Sequence, residues 1–211
     1  MKLGEIKIEA LRLMFATQGE DFDPDRLPDL RGDELYGSYL IAMPGSINRC
    51  FSDLETRGVL PVRSFSLCAV GKAGELQRFD LPALIEDYFC AERLVYERGG
   101  MISVDESFSF QTEGDMLYLP WFDNATEQYR LLYRPKLTRI GGGTAEDTEL
   151  PLPEHIAAVI PYWIKGELFR EDEPNEAAEA RNWYEAAMSG AQARVSRREG
   201  RVRDVYSMTE V

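Results

Sequence analysis

Few residues in this chain are of a type that does chemistry. The only histidine is His155, inside Pro153-Glu154-His155-Ile156. With no second imidazole there is neither a His-Glu-x-x-His zinc pair nor a nucleophile, base and orienter triad, so a solvated residue in the first turn of a helix is expected. Cys50, Cys68 and Cys90 form no Cys-x-x-Cys pair and are odd in number. That pattern suggests no zinc cluster and no disulfide framework, and each is expected as a small apolar filler. Gly141-Gly142-Gly143-Thr144 lacks the lysine of a phosphate loop and the spacing of a dinucleotide fingerprint, and reads as a flexible β-to-helix linker. The run Glu171-Asp172-Glu173 and the loop from Asp21 to Asp29 could offer carboxylate oxygens to a divalent ion, but helix-capping charge explains the first and a solvated loop the second. The expectation is therefore no catalytic, cofactor or metal residue.

What remains are residues suited to contact. Trp121-Phe122, between Pro120 and Asp123, is either an exposed pair that meets a partner or a buried turn anchor. The formal charge of −13 argues against a nucleic-acid grip, which needs a basic face to neutralise phosphates. That charge is uneven. From Gly190 to Val211, Arg194, Arg197, Arg198, Arg201 and Arg203 stand against Glu199, Asp204 and Glu210, a surplus of two positive charges, so the rest of the chain carries −15. Such a break marks a boundary and makes the last residues a candidate arm.

Elements must position these groups. Lys2 to Thr17 sets Leu3, Ile6, Ala10 and Leu13 on one helical face with Ile8, Leu11 and Phe15 beside it. Gly19 to Gly32, rich in Asp, Pro and Gly, reads as a surface loop. From Glu34 to Arg57, Tyr36, Tyr39, Leu40, Met43, Ile47, Cys50, Phe51 and Leu54 step by three and four. Pro44-Gly45 lies within this stripe, which continues past it, so a kink is favoured over a full break. Segments Val59 to Val70, Cys90 to Tyr96, Ser103 to Phe110, Met116 to Leu119 and Gln128 to Tyr133 are β-branched or aromatic and separated by turn chemistry, while Phe79 to Phe89 is open between helix and extended chain. Pro153 starts a helix through Ile156, Ile160, Trp163, Ile164 and Leu168, with a kink expected at Pro161. A last helix begins near Asp172-Glu173-Pro174 and carries Ala177, Ala180, Trp183, Tyr184, Ala187 and Met188. The fold class is α+β: a helical bundle of N- and C-terminal helix pairs (1–57 and 149–189), a mostly antiparallel β insertion (58–148) and an extended C-terminal arm (190–211). No run of eighteen apolar residues occurs and the N-terminus has no apolar signal region, so a soluble, unsecreted protein is expected.

With these residues in view the chain resembles the phage head–tail adaptor family, the head-completion or connector proteins. The resemblance is carried by Lys2 to Phe15, by Ser38 to Phe51 around Ile41-Ala42-Met43-Pro44-Gly45, and by Tyr129-Arg130-Leu131-Leu132-Tyr133-Arg134-Pro135. Glu149-Leu150-Pro151-Leu152-Pro153-Glu154, Ile160-Pro161-Tyr162-Trp163-Ile164, Glu167-Leu168-Phe169 and the Ala-rich closing helix continue it, over roughly residues 1 to 189. Order of elements carries it, with no single diagnostic motif. The resemblance implies a structural virion protein of the neck, assembled in the bacterial host cytoplasm, with no chemistry and no cofactor. It implies copies in a ring matched to a twelvefold portal protein, a tail or neck protein as second partner, DNA passing without sticking, and no membrane. It also makes the arm, through its five arginines, the segment that reaches the portal. A frayed, solvated tail is the plainer reading of the same residues.

Two other classes would share this composition. An acidic DNA mimic would also be small and negative, but would compete with DNA for a DNA-processing enzyme. A carboxylate hydrolase needs two acids held in a cleft, and among 37 acidic residues the sequence singles out no pair.

Overall fold

The computed structural model describes residues 1–15, 22–69, 76–98, 101–103, 111–120 and 127–207, the backbone alone at some of them, 196–207 included. Helix and sheet are mixed, an α+β composition. The chain forms two compact units, Met1–Val59 with Arg139–Val211, and Leu60–Thr138.

In the first unit the three- and four-residue stepping becomes α1 (Leu3–Phe15), which buries Leu3, Ile6, Ile8, Ala10, Leu11, Met14 and Phe15. The acidic loop after it is not wholly loop. A 3-10 turn at Pro24–Arg26 leads into α2 (Leu27–Arg31), with the Asp23 carboxylate accepting from the Asp25 N–H. Phe22, Leu27 and Leu30 are buried there, because three apolar side chains among the acids are enough to pin the segment to the core. The next helix, α3 (Tyr36–Arg57), runs unbroken through Pro44 and ends at Gly58, whose φ of 64° is the left-handed cap that a Cβ disfavours. Its expected stripe is inside: Tyr36, Leu40, Met43, Ile47, Cys50, Phe51 and Leu54 are all buried.

The second unit is built from two antiparallel sheets. One has the order β1 (Arg63–Ala69), β7 (Glu127–Pro135), β3 (Tyr88–Arg98), β4 (Met101–Ser103); the other has β2 (Leu76–Asp80), β6 (Met116–Pro120), β5 (Gln111–Glu113). Period-two alternation points Tyr129, Leu131 and Tyr133 of β7 and Leu117 and Leu119 of β6 into one core with Leu67, Leu81, Ile85, Tyr88 and Leu94. The ambiguous stretch Phe79 to Phe89 divides three ways: the end of β2, a single turn α4 (Leu81–Leu84) capped by the Asp80 carboxylate on the Ala83 N–H, and the start of β3. A turn at Gly114-Asp115 joins β5 to β6 with Gly114 at φ 61°. Of the expected Ser103 to Phe110 strand, only Ser103 is among the described residues.

Chain return to the first unit corrects three expectations. The residues on both sides of the triglycine are tied to the helical unit, where a flexible linker was expected. Asn48 brackets Ile140 with two hydrogen bonds of 2.8 Å, and the Leu3 and Gly4 N–H groups donate to Thr148 and Glu146 carbonyls at 3.0 and 2.8 Å. Buried Lys7 donates to Glu146 at 2.8 Å, and Arg31 reaches the same carboxylate. Thus 139–148 belongs to the helical unit. The helix expected to kink at Pro161 is instead broken into α5 (Glu154–Ala157) and α6 (Ile160–Leu168), since proline in a first turn starts a helix without needing an amide donor. Finally α7 (Pro174–Ser207) continues through Gly190 as helix to Ser207, where an extended arm was expected. Arg, Ala, Gln and Glu favour helix, no proline intervenes after Pro174, and the glycines at 190 and 200 cost only about 1 kcal/mol each. Helix α6 packs against α1, α3 and α7. Gly166 allows the last approach: a Cβ there would lie 3.3 Å from the Ala177 carbonyl and 3.4 Å from the Arg181 nitrogen.

Candidate functional site

The long helix α7 carries most of the residues that sequence reasoning selected for contact, and how it is held determines what it can offer. Ala177, Ala180, Tyr184, Met188 and Ala191 form its buried stripe. Tyr184 is the deepest anchor. Its hydroxyl donates to Asp53 Oδ2 on α3 at 2.7 Å, its ring meets Trp163 of α6 edge-on at 5.0 Å, and Cys50 Sγ lies 3.9 Å from its oxygen. Arg57 closes the group. It donates to Asp53 at 2.6 Å and as a fork to both Glu185 oxygens at 2.8 Å, with its guanidinium 5.6 Å from the Tyr184 ring centre. Gln192 then donates to the Arg57 carbonyl at 3.3 Å.

Burial above all, with nearby Cys50 and the Asp53 carboxylate adding to it, raises the Tyr184 phenol well above its ordinary range. Burial also pushes the Cys50 thiol up to about 12, so it stays protonated near neutrality and offers no thiolate nucleophile. The Glu185 hydrogen bonds hold Arg57 more firmly protonated still. These groups lock α7 onto α3 and α6. A second carboxylate, Glu167 of α6, accepts from Ser46 Oγ at 2.5 Å and Trp163 Nε1 at 3.2 Å and pairs with Arg49, so α3 and α6 are cross-linked at the other end.

Sequence-selected residues fall as follows. Arg194 is exposed on α7, and Arg197, Arg198, Arg201 and Arg203 lie on the same continuous helical backbone. Trp121 and Phe122 lie outside the described residues. His155 is exposed on α5. Cys50 is buried as a filler should be, but Cys68 is exposed on β1 and Cys90 half-buried on β3, because both sit on strands with only one face covered. Asp172 of the acidic run accepts from the Tyr39 hydroxyl at 2.8 Å. A cleft of about 590 Å³ beside α1 is lined by Glu5, Glu9, Arg12 and Glu154 among others, and Arg12 is already committed to the Phe22 carbonyl at 2.6 Å.

Trp183, which the sequence places on the last helix, is 60% exposed. Its neighbour Tyr184 takes the buried position of the stripe, leaving the indole on the flank. No family model and no curated protein matches this sequence. Among the described residues no helix is long and apolar enough to cross a membrane.

Proposed function

We propose that this chain is a structural virion protein, a subunit of the phage head–tail adaptor ring that sits beneath the portal, joins head to tail and lets DNA pass. The observation that carries the reading is the shape and charge of α7. Its buried stripe includes Ala177, Ala180, Tyr184, Met188 and Ala191, the helix continues to Ser207, and its last turns hold the arginines of an otherwise acidic chain. A helix rises about 1.5 Å per residue, so the backbone from Ala191 to Ser207 extends roughly 24 Å. Support also comes from the succession of helices, antiparallel strands and helices that the adaptor resemblance describes, here helices from both ends of the chain in one unit and a β unit between them in sequence.

In this reading the arginines of α7 dock on carboxylates of the portal protein, where planar guanidinium forks give directional contacts. Weak individual contacts add once a ring of copies presents many arms together. An acidic body keeps DNA sliding, since like charge opposes adhesion. The partners are the portal, neighbouring copies in a twelvefold ring, and a tail or neck protein; no cofactor takes part.

Cutting after Val195 retains every described buried contact of α7, including Ala191 and the Gln192 bond to Arg57, and removes four of the five arginines. The truncated protein should fold as the parent does and fail to co-sediment with portal-bearing heads, while the full chain binds and is released by salt. Equal binding of both would refute the latch. Assembled particles should give the portal's symmetry by mass. Competition with DNA for a DNA-processing enzyme, without head binding, would instead support the DNA mimic.

A further inference from the structure

The exposed flank of α7 carries its charges in order along the helix, acids first and arginines last. Positions 176, 179, 183, 186, 190, 194, 197 and 201 recur at three- and four-residue steps, so the continuous helix brings them onto one side, away from the Tyr184 stripe. That side begins acidic with Glu176 and Glu179 and ends with arginines at 194, 197 and 201. Between them stand Trp183, 60% exposed, then Ala186 and Gly190, and a Cβ placed on Gly190 would meet nothing within 4 Å. Glu176 is engaged by Lys165 at 2.7 Å, whereas Glu179 and Arg194 are exposed and have no ion pair among the described residues.

We propose that this face is the interface of an antiparallel, two-fold dimer, its occupant a second copy of α7. The charge order decides the partner and its direction. Two such helices laid parallel would set acid on acid and arginine on arginine. Laid antiparallel about a centre between Ala186 and Ala187, each Glu179 meets the other chain's Arg194 and each Glu176 faces position 197. In the same register each Trp183 covers the open space at Gly190. A face complementary to itself under a two-fold is what an isologous dimer requires. The exposed indole supplies apolar area at the centre, and the charges fix register. This inference does not rest on the head–tail reading, which needs a heterologous ring and a different partner.

The test is the mass of the full chain at low salt by light scattering and sedimentation. The expected species is a dimer of twice 24.0 kDa that dissociates as salt rises. Glu179→Arg and Arg194→Glu should each weaken dimerisation by roughly ten-fold, because each reversal sets like charges together at two symmetric places. The double variant E179R/R194E should restore it to within about three-fold of the parent. Trp183→Ser should also dissociate the dimer, and circular dichroism should show all variants folded, since none of these side chains is buried. A monomer at about 100 µM in low salt, a dimer indifferent to either reversal, or failure of the double variant to recover would each overturn the proposal. A closed ring that persists in the reversed variants would overturn it too while leaving the adaptor reading intact. Loss of head attachment without loss of dimer would do the opposite.

Discussion

At the scale of residues, the anchor of α7 depends on two acids that must stay protonated. Cys50 and Tyr184 have folded pKa values raised above their ordinary 9.0 and 10.0, chiefly by burial. A raised acid binds its proton more tightly folded than unfolded. Its contribution is therefore complete below the unfolded value and is lost as pH climbs from there toward the folded one. Stability should hold from neutrality to about pH 9 and then fall. By pH 10.5 the Cys50 share of the loss should be on the order of 2 kcal/mol, at about 1.4 kcal/mol per unit. Urea unfolding of the parent and of Cys50→Ala at pH 7 and 10.5 separates it. The variant starts lower by about 1 kcal/mol and should fall less steeply, and identical slopes would show that the thiol is not proton-linked to folding. The sequence made half of this cluster legible. Cys50 lies on the buried stripe of α3, and Asp53 and Arg57 stand four apart on one helix, a readable pair. Glu185 and Tyr184 could not be assigned to them, because that needs the register of two helices separated by the whole β unit. The same limit hid Lys7 and Glu146, whose pairing leaves Lys7 only 2% exposed.

At the scale of elements, α6 is nine residues long yet touches three other helices, so its own propensity matters less than its fit. Gly166 is the closest point of that fit, facing main-chain atoms of α7 that cannot swing aside as a side-chain tip would. Gly166→Leu should therefore cost about 3 kcal/mol or more, despite leucine's higher helix propensity. Thermal unfolding is the measure, and a variant as stable as the parent would mean that the α6–α7 contact gives freely. Long helices were legible because apolar steps of three and four repeat over many turns. Short elements were not. The three-residue β5, the five-residue β2 and the single turn α4 hold few residues each, and are stabilised by the strands and caps they meet. Pro161 was given the wrong consequence for a related reason. Proline ends one helix or begins another depending on the chain before it, and here the turn at Ala158 and Val159 lets it begin α6.

At the scale of the whole molecule, a chain that leaves its helical unit after Val59 and re-enters it at Arg139 has two cores of separate composition. The β unit gathers Leu117, Leu119, Tyr129, Leu131 and their neighbours, and the helical unit gathers α1, α3, α6 and α7 around Ile6, Met43, Ile164 and Tyr184. The second unit ends at Thr138, within the stretch to 148 that composition assigned to the insertion, because a glycine-rich segment reads as linker until its hydrogen bonds to α1 and α3 are seen. Those bonds suggest how the helical unit would behave alone. Arg139 donates to Glu55 at 2.7 Å near the end of α3, and Ile140 is bracketed by Asn48, so the re-entering chain is fastened close to the helix that the exiting chain has just left. Replacing residues 60–138 by a Gly/Ser linker of about eight residues would close a far shorter loop, and loop-closure entropy then favours the folded state. The excised protein should be strongly helical by circular dichroism and should unfold in one cooperative transition. Retention of the Gly166→Leu penalty in that background would show that the α6–α7 packing is native. A chain that is soluble yet lacks helical signal, or that unfolds without cooperativity, would mean that the helical core needs the β unit to form.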